Sequence, residues 1–249
     1  MMPRISKIRI AGNKYDNFRK CHENTIFDLT KEGEPDHTLF TFENGSGKGV
    51  LMQLISQIML PNTRWGKNDG NKITGMFLNR KNQFSPYTFH VIVEWKLDTV
   101  PDKWLITGIC MTAVKKTSDK DDESEEEKTG VKYFMYTHEH YADGFYTIEN
   151  IPAYLSSEKR TSTYTEFEKF LSENKKDFRK FSESQSRTTN SDYYEYLSSN
   201  GIYRSEWSVL KLINREDDYK KLSVMLSPLI DDAKIGIEYE NKKDHCIFE

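Results

Sequence analysis

The stretch FTFENGSGKGVLMQLISQIML, residues 40–60, decides how the rest of the chain is read. Asn44-Gly45-Ser46-Gly47-Lys48 is a glycine-rich turn between a short apolar run, His37–Phe42, and a second run that is apolar almost all round up to Pro61. The first run reads as a strand. The second reads as a buried helix stopped at the proline, which lacks the N–H a helix needs. Glycines in such a turn let successive backbone N–H groups face inward, and the helix aims its N-terminus at the same point. That arrangement suits a phosphate. Lys48 then reaches the β- and γ-phosphates. The pattern G-x-x-x-x-G-K-[ST] is met incompletely, because Phe42 stands at its first glycine and Gly49 stands where a hydroxyl would bind Mg²⁺. The nucleotide-binding residues expected are therefore Asn44, Gly45, Ser46, Gly47, Lys48 and Gly49. The bland alternative is a glycine-rich turn that merely precedes a buried helix.

Outward from this loop, the patterning is mostly that of strands. Ile5–Ala11 alternates charged and apolar residues, as a strand does, and Thr25–Leu29 resumes one after the polar connection Lys14–Glu23. Glu32–Asp36 holds Gly and Pro and reads as a turn. Tyr87–Leu97, Trp104–Val114 and Val131–His140 read as three strands in sequence, with Gly144–Ile148 a fourth. The acidic segment Ser118–Gly130 reads as a solvated hairpin loop. After Pro152 the character changes. Phe167, Phe170, Leu171, Phe178 and Phe181 fall near helical spacing and predict an amphipathic helix over Tyr164–Phe181. Ser182–Ser191 reads as a loop, and Glu206–Arg215 and Tyr219–Leu226 as helices. The division is a β-rich region 1–155 and a helical region 156–249.

The bulk composition narrows the class. At 249 residues, with 30% charged and 13% aromatic residues, the chain is long enough for a core and too aromatic to be disordered. Its net charge of −3 is unevenly spread: residues 1–116 carry 17 Lys/Arg against 11 Asp/Glu, and residues 117–249 carry 19 against 28. A basic first part suits a phosphate-bearing ligand, although an ordinary solvated surface gives the same balance. Cys21, Cys110 and Cys246 have no paired spacing, so neither a disulfide framework nor a zinc site is expected. With no signal peptide and no apolar run of about 20 residues, a cytoplasmic protein without a membrane partner is expected.

At Asn44–Lys48 the chain resembles the SMC/MukB-like ATPases, the chromosome-segregation and DNA-defence relatives of the ABC transporters. Their loop reads G-x-N-G-[SA]-G-K-[ST], and the resemblance extends over residues 3–155 as an order of elements. It implies an α/β fold: an ABC-type P-loop NTPase half-head with a mixed sheet and an antiparallel β-meander. A helical region leading towards a coiled coil would follow. It implies ATP and Mg²⁺ as cofactors, with coordination of the metal in doubt at Gly49. Lys48 would contact the β- and γ-phosphates, and the backbone of Asn44–Gly47 would wrap them. Arg64 and Lys67, and likewise Lys14, Arg19 and Lys20, become candidate contacts to nucleotide or DNA. The implied partners are a C-terminal ATPase lobe of the same or another chain, a second head joined through ATP, and DNA.

The resemblance also exposes what residues 1–249 lack. Val91-Ile92-Val93-Glu94 lacks the Asp-Glu pair of a Walker B strand, and Leu229-Ile230-Asp231-Asp232 follows Pro228. No LSGG signature occurs, and Glu149 and Asn150 stand where a metal-binding glutamine belongs. ATPase chemistry is then expected only when another lobe completes the site. A pseudo-ATPase, keeping the loop as part of an interaction module, is the competing reading; a stand-alone P-loop kinase lacks a catalytic acid or lid.

Weaker signals point to no other chemistry. His138 and His140 share one face of a strand, as paired metal ligands would, but no third ligand follows. They read as solvent-facing histidines. Asp244-His245-Cys246 carries no more weight, no G-x-S-x-G nucleophile elbow occurs, and the aromatics of Tyr193–Trp207 read as packing contacts.

Overall fold

A computed structural model of the chain describes residues 3–14, 22–38, 51, 54–59, 76–77, 87–97, 102–116, 128–142, 144–186, 192–202, 237–238 and 247–248. These fall in two compact units, residues 1–204 and 205–249. The first is built on strands β1 (Arg4–Asn13), β2 (His22–Asp28), β5 (Thr88–Lys96), β6 (Lys103–Lys116), β7 (Lys128–Tyr141) and β10 (Phe178–Phe181). They form one six-stranded sheet in the order β10-β7-β6-β5-β1-β2. Two-residue pairs lie outside it: β3 (Thr30–Lys31) with β4 (Glu34–Pro35), and β8 (Tyr154–Leu155) with β9 (Arg160–Thr161). The first unit also holds helices α1 (Tyr164–Glu173) and α2 (Asp192–Ser199), a 3-10 turn at Ser184–Ser186 and a helical piece over residues 54–56. In the second unit, β11 (Ile237–Glu238) pairs with β12 (Ile247–Phe248).

The expected α/β fold is overturned. Every strand pair in the six-stranded sheet is antiparallel, the helices are few and short, and no parallel P-loop arrangement occurs among the described residues. For the pairs that are sequential in this sheet, connection length is the physical reason. Only Leu97–Asp102 separate β5 from β6, where Leu97 N–H donates to Lys103 O and Asp102 takes a φ of 56°. A parallel neighbour requires a crossover of a dozen or more residues. The three strands read over residues 87–140 are present as β5, β6 and β7; the parallel setting inferred from the loop is not.

Alternation along the strands sorts their side chains onto two faces. Phe89, Val91, Val93 and Trp95 of β5 share one face with Ile8 and Ile10 of β1, and with Met111, Ile109 and Leu105 of β6. Phe77 stacks on Phe89 from above this face at 5.6 Å between ring centroids. Phe181 meets Tyr193 of α2 there at 5.3 Å, and the Tyr193 hydroxyl donates to Ile58 O at 2.8 Å. Residues 54–56 are helical and run into a turn over 57–59, with Leu51, Leu54, Ile58 and Met59 buried. So the described part of the expected helix is helical and inside.

The opposite face carries Ala11, Ile92, Ile106, Cys110, Phe134, Tyr136 and Phe178, and is covered by α1 and the segment 144–163. Gly108 lies opposite Tyr136 on this face, and a Cβ there would sit 2.1 Å from the tyrosine ring. Only glycine lets the ring lie across β6. Helix α1 begins at a capping box, in which Thr163 accepts from Glu166 N–H and the Glu166 carboxylate accepts from Thr163 N–H. It ends at Asn174, eight residues after Glu166, rather than running to Phe181 as expected. Phe178 and Phe181 belong to β10 instead. Gly144–Ile148 is irregular and forms no strand.

Candidate functional site

The polar residues buried on the α1-covered face are tied to the backbone above them. Arg9 is 2% exposed. Its Nη1 donates to the carbonyls of Ile148, Glu149 and Ile151 at 2.8, 3.1 and 2.8 Å, and its Nε donates to Asn24 Oδ1 at 2.8 Å. Burial pushes its guanidinium pKa down, yet arginine stays charged in proteins. Three residues before Arg9 on β1, a register shift between Ile5 and Lys7 turns Ser6 onto Glu94. Ser6 Oγ donates to Glu94 Oε1 at 2.6 Å, and His140 Nε2 lies 3.4 Å from Glu94 Oε2. His90 Nε2 lies 3.2 Å from both the carbonyl and the hydroxyl oxygen of Ser162. The Ser162 hydroxyl donates to Ala153 O. That network assigns the proton of a neutral imidazole to Nε2. Burial lowers the His90 pKa to about 4, against the Ser162 backbone contact, which raises it.

This constellation of Ser6, Glu94, His140, His90 and Ser162 is assembled by the fold, but its order is wrong for nucleophilic catalysis. In Ser6–Glu94–His140 the carboxylate is central and accepts the serine proton itself. A serine nucleophile requires the imidazole in that place. His138 and His140 are 6% and 8% exposed, so the solvent-facing reading of the pair is corrected. Their rings stack at 5.8 Å, and His138 Nδ1 lies 2.7 Å from Asp177 O. Burial lowers the His138 pKa. The cause is β10 and the turn before it, which cover a face that would be open if the chain stayed helical to Phe181. No group of three or more His, Cys, Asp or Glu side chains suited to a metal ion occurs among the described residues. Glu94 lies in the meander, buried and bonded to Ser6.

A cleft of about 670 Å³ with a partly polar lining lies at one end of the sheet, beside the sequence-derived candidate Lys14. Its walls include Gly12, Lys14, Thr88, Lys132, Lys159 and Tyr164. Gly12 has a φ of 78°, and a Cβ there would meet Thr161 Oγ1 and Thr88 O at 2.5 Å. A side chain is excluded where β1 passes under β9. Lys132 Nζ stands 4.4 Å over the Tyr164 ring. Arg160, also on the wall, is held by Glu158 and Glu166 at 2.6 and 2.8 Å, which leaves its charge matched. Lys14, Lys132 and Lys159 have no carboxylate partner among the described residues, and the lining named for this cleft includes one acidic residue, Glu23. Such a wall attracts anions.

Of the expected nucleotide-binding residues, Asn44, Gly45, Ser46, Gly47, Lys48 and Gly49 lie outside the described residues. So do Arg19, Lys20, Arg64 and Lys67. Lys14 is placed: it is exposed at the end of β1 and stands on the cleft wall. Lys132 and Lys159 went unnoticed in the sequence, because one sits mid-pattern in β7 and the other in a turn. Only the approach of β9 and α1 to the sheet end brings them beside Lys14. No helix among the described residues is long and apolar enough to cross a membrane. No protein-family model matches this sequence, and no curated protein matches it either.

Proposed function

We propose that the chain binds a nucleoside triphosphate through Asn44–Gly49 and acts as an SMC-like head lobe, gating head association on DNA. ATP with Mg²⁺ is the nucleotide in this reading. The single observation that carries it is the run Asn44-Gly45-Ser46-Gly47-Lys48: glycines and a lysine in the order a phosphate cradle requires. The support comes from sequence, not from the sheet, whose antiparallel order gives the reading no help. The unpaired lysines beside Lys14 support a phosphate-bearing ligand in general terms. Hydrolysis is assigned to the completed assembly, since a C-terminal lobe and a partner head must supply the carboxylates that activate water.

The test is isothermal calorimetry with MgATP. The chain is expected to bind, and Lys48→Ala to weaken binding by about tenfold or more, roughly 1.4 kcal/mol. Equal heats in the two proteins would sink the phosphate-loop assignment. Gly49 favours a second reading, a pseudo-ATPase whose loop serves an interaction module, because glycine offers the metal no oxygen from a side chain. Turnover that appears on adding the C-terminal lobe would remove that reading.

A further inference from the structure

A second cationic cleft lies at the β10 edge of the sheet, in the half of the sequence whose overall balance is acidic. It has a volume of about 740 Å³ and sits where the end of α1, the turn Asn174–Asp177, β10 and Tyr196 of α2 meet. Leu171 and Phe178 are apolar and buried at its floor. Lys175, Lys176, Arg179 and Lys180 stand on its walls and are exposed. Lys180 is paired with Glu168. Lys175, Lys176 and Arg179 have no carboxylate partner among the described residues.

The acidic groups of this cleft do not cancel those three charges. Glu139 is already bound by Lys103 at 2.6 Å and by the Tyr196 hydroxyl at 2.7 Å. Asp177 remains as a single opposing carboxylate. Arg179 is held differently from the lysines: its guanidinium lies 4.8 Å from the Phe181 ring centroid and 5.2 Å from that of Tyr196. Two rings orient the planar fork and leave its N–H edge for an acceptor. A guanidinium fork flanked by two ammonium groups matches the oxygens of successive phosphates.

We propose that this cleft binds the phosphodiester backbone of double-stranded DNA, without reading its sequence. The DNA in this inference rests on the function proposed above; the place rests on the cleft alone. Three observations choose among polyanions. The faces of Phe181 and Tyr196 are engaged by Arg179, so neither offers an open platform on which an unpaired base would stack. The lining includes no Asn or Gln, the carboxamides that pair with adenine edges. An acidic peptide added as a strand would have only the four residues of β10 to pair with. Charge, repeated along a rigid backbone, is what the cleft can hold.

The test is fluorescence anisotropy of a labelled random-sequence duplex over a salt series, without nucleotide, on the whole chain. The variant Lys175→Gln/Lys176→Gln/Arg179→Gln is expected to bind about tenfold or more weakly at low salt. Its plot of log affinity against log salt should be shallower by about 3, close to one per cation removed. Arg179→Lys keeps the charge and the fold while losing the fork; it should keep the slope and lose affinity severalfold. A duplex bound equally by chain and triple variant would overturn the cleft assignment while leaving DNA as a partner. A chain that binds no duplex would overturn the DNA reading itself, and this inference with it. Polyglutamate competing as well as duplex would overturn DNA as the occupant.

Discussion

Val91, Val93 and Trp95 look out on one side of β5, while His90, Ile92 and Glu94 look out on the other, and the two faces are held by different means. On the first, rings and aliphatic chains meet, as in Phe77 against Phe89, and Trp95 Nε1–H finds its acceptor within the sheet at Thr107 Oγ1, 2.9 Å away. On the second, apolar contacts with α1 are joined by a row of polar anchors: Arg9 to the 148–151 carbonyls, and His90 with Ser162 beneath 153–162. The coverings explain the difference. A helix satisfies its own backbone, so a face covered by one can be apolar. The segment 144–163 is mostly turns, and its inward carbonyls need donors from below. An irregular covering selects a polar sheet face.

The largest test of that contrast is Arg9→Met. It leaves two buried carbonyls, a half-buried one and Asn24 without their donor, and should cost about 3–5 kcal/mol in urea unfolding. A loss under about 1 kcal/mol would mean the strap is held by apolar packing alone. The second test is pH. An unfolded His90 has an ordinary imidazole pKa, whereas the folded one is held at about 4. Between those values the unfolded chain takes up the proton and the folded chain does not. The contribution is therefore full above about pH 6.5 and is lost as pH falls towards 4, approaching about 3 kcal/mol. His90→Gln should remove that share of the pH slope. The smallest effect is expected on the apolar face. Ile10→Val deletes one buried methylene opposite Val91 and should cost about 1 kcal/mol, with the same value at pH 5 and pH 7. Pronounced pH dependence there would blur the distinction between the faces.

Much of the strand content was legible, because a period of two is a local property of the chain. Ile5–Ala11, Thr25–Leu29 and the three strands from residue 87 to residue 140 stand within or across β1, β2, β5, β6 and β7. The error at Phe178 and Phe181 has a definite origin. Residues three apart share a helix face, but in a strand they point to opposite faces. Both phenylalanines are buried in β10 because the sheet is covered on both sides. The same double covering buried His138 and His140, which a one-sided sheet would have left in water. Of the cations in the two clefts, only Lys14 was singled out by the sequence, at the start of a polar connection. That Lys132 and Lys159 stand beside the first, and Arg179 across two rings in the second, depends on contacts between distant segments.

The sequence by itself determined where β1, β2, β5, β6 and β7 run and where the chain turns at Glu32–Asp36, and it carries the glycines and lysine of Asn44–Gly49 on which the proposed phosphate cradle rests. Those are properties of neighbours along the chain: side-chain alternation, glycine freedom, a lysine's charge. The tertiary structure alone decided that the sheet is antiparallel in the order β10-β7-β6-β5-β1-β2, and that Arg9, Glu94 and the histidine pair are inside. It also decided which cations meet in a cleft. Strand order is set by how long each connection is and what packs over it. Burial is set by the element that lies above a face, and neither is written in the pattern of the strand itself.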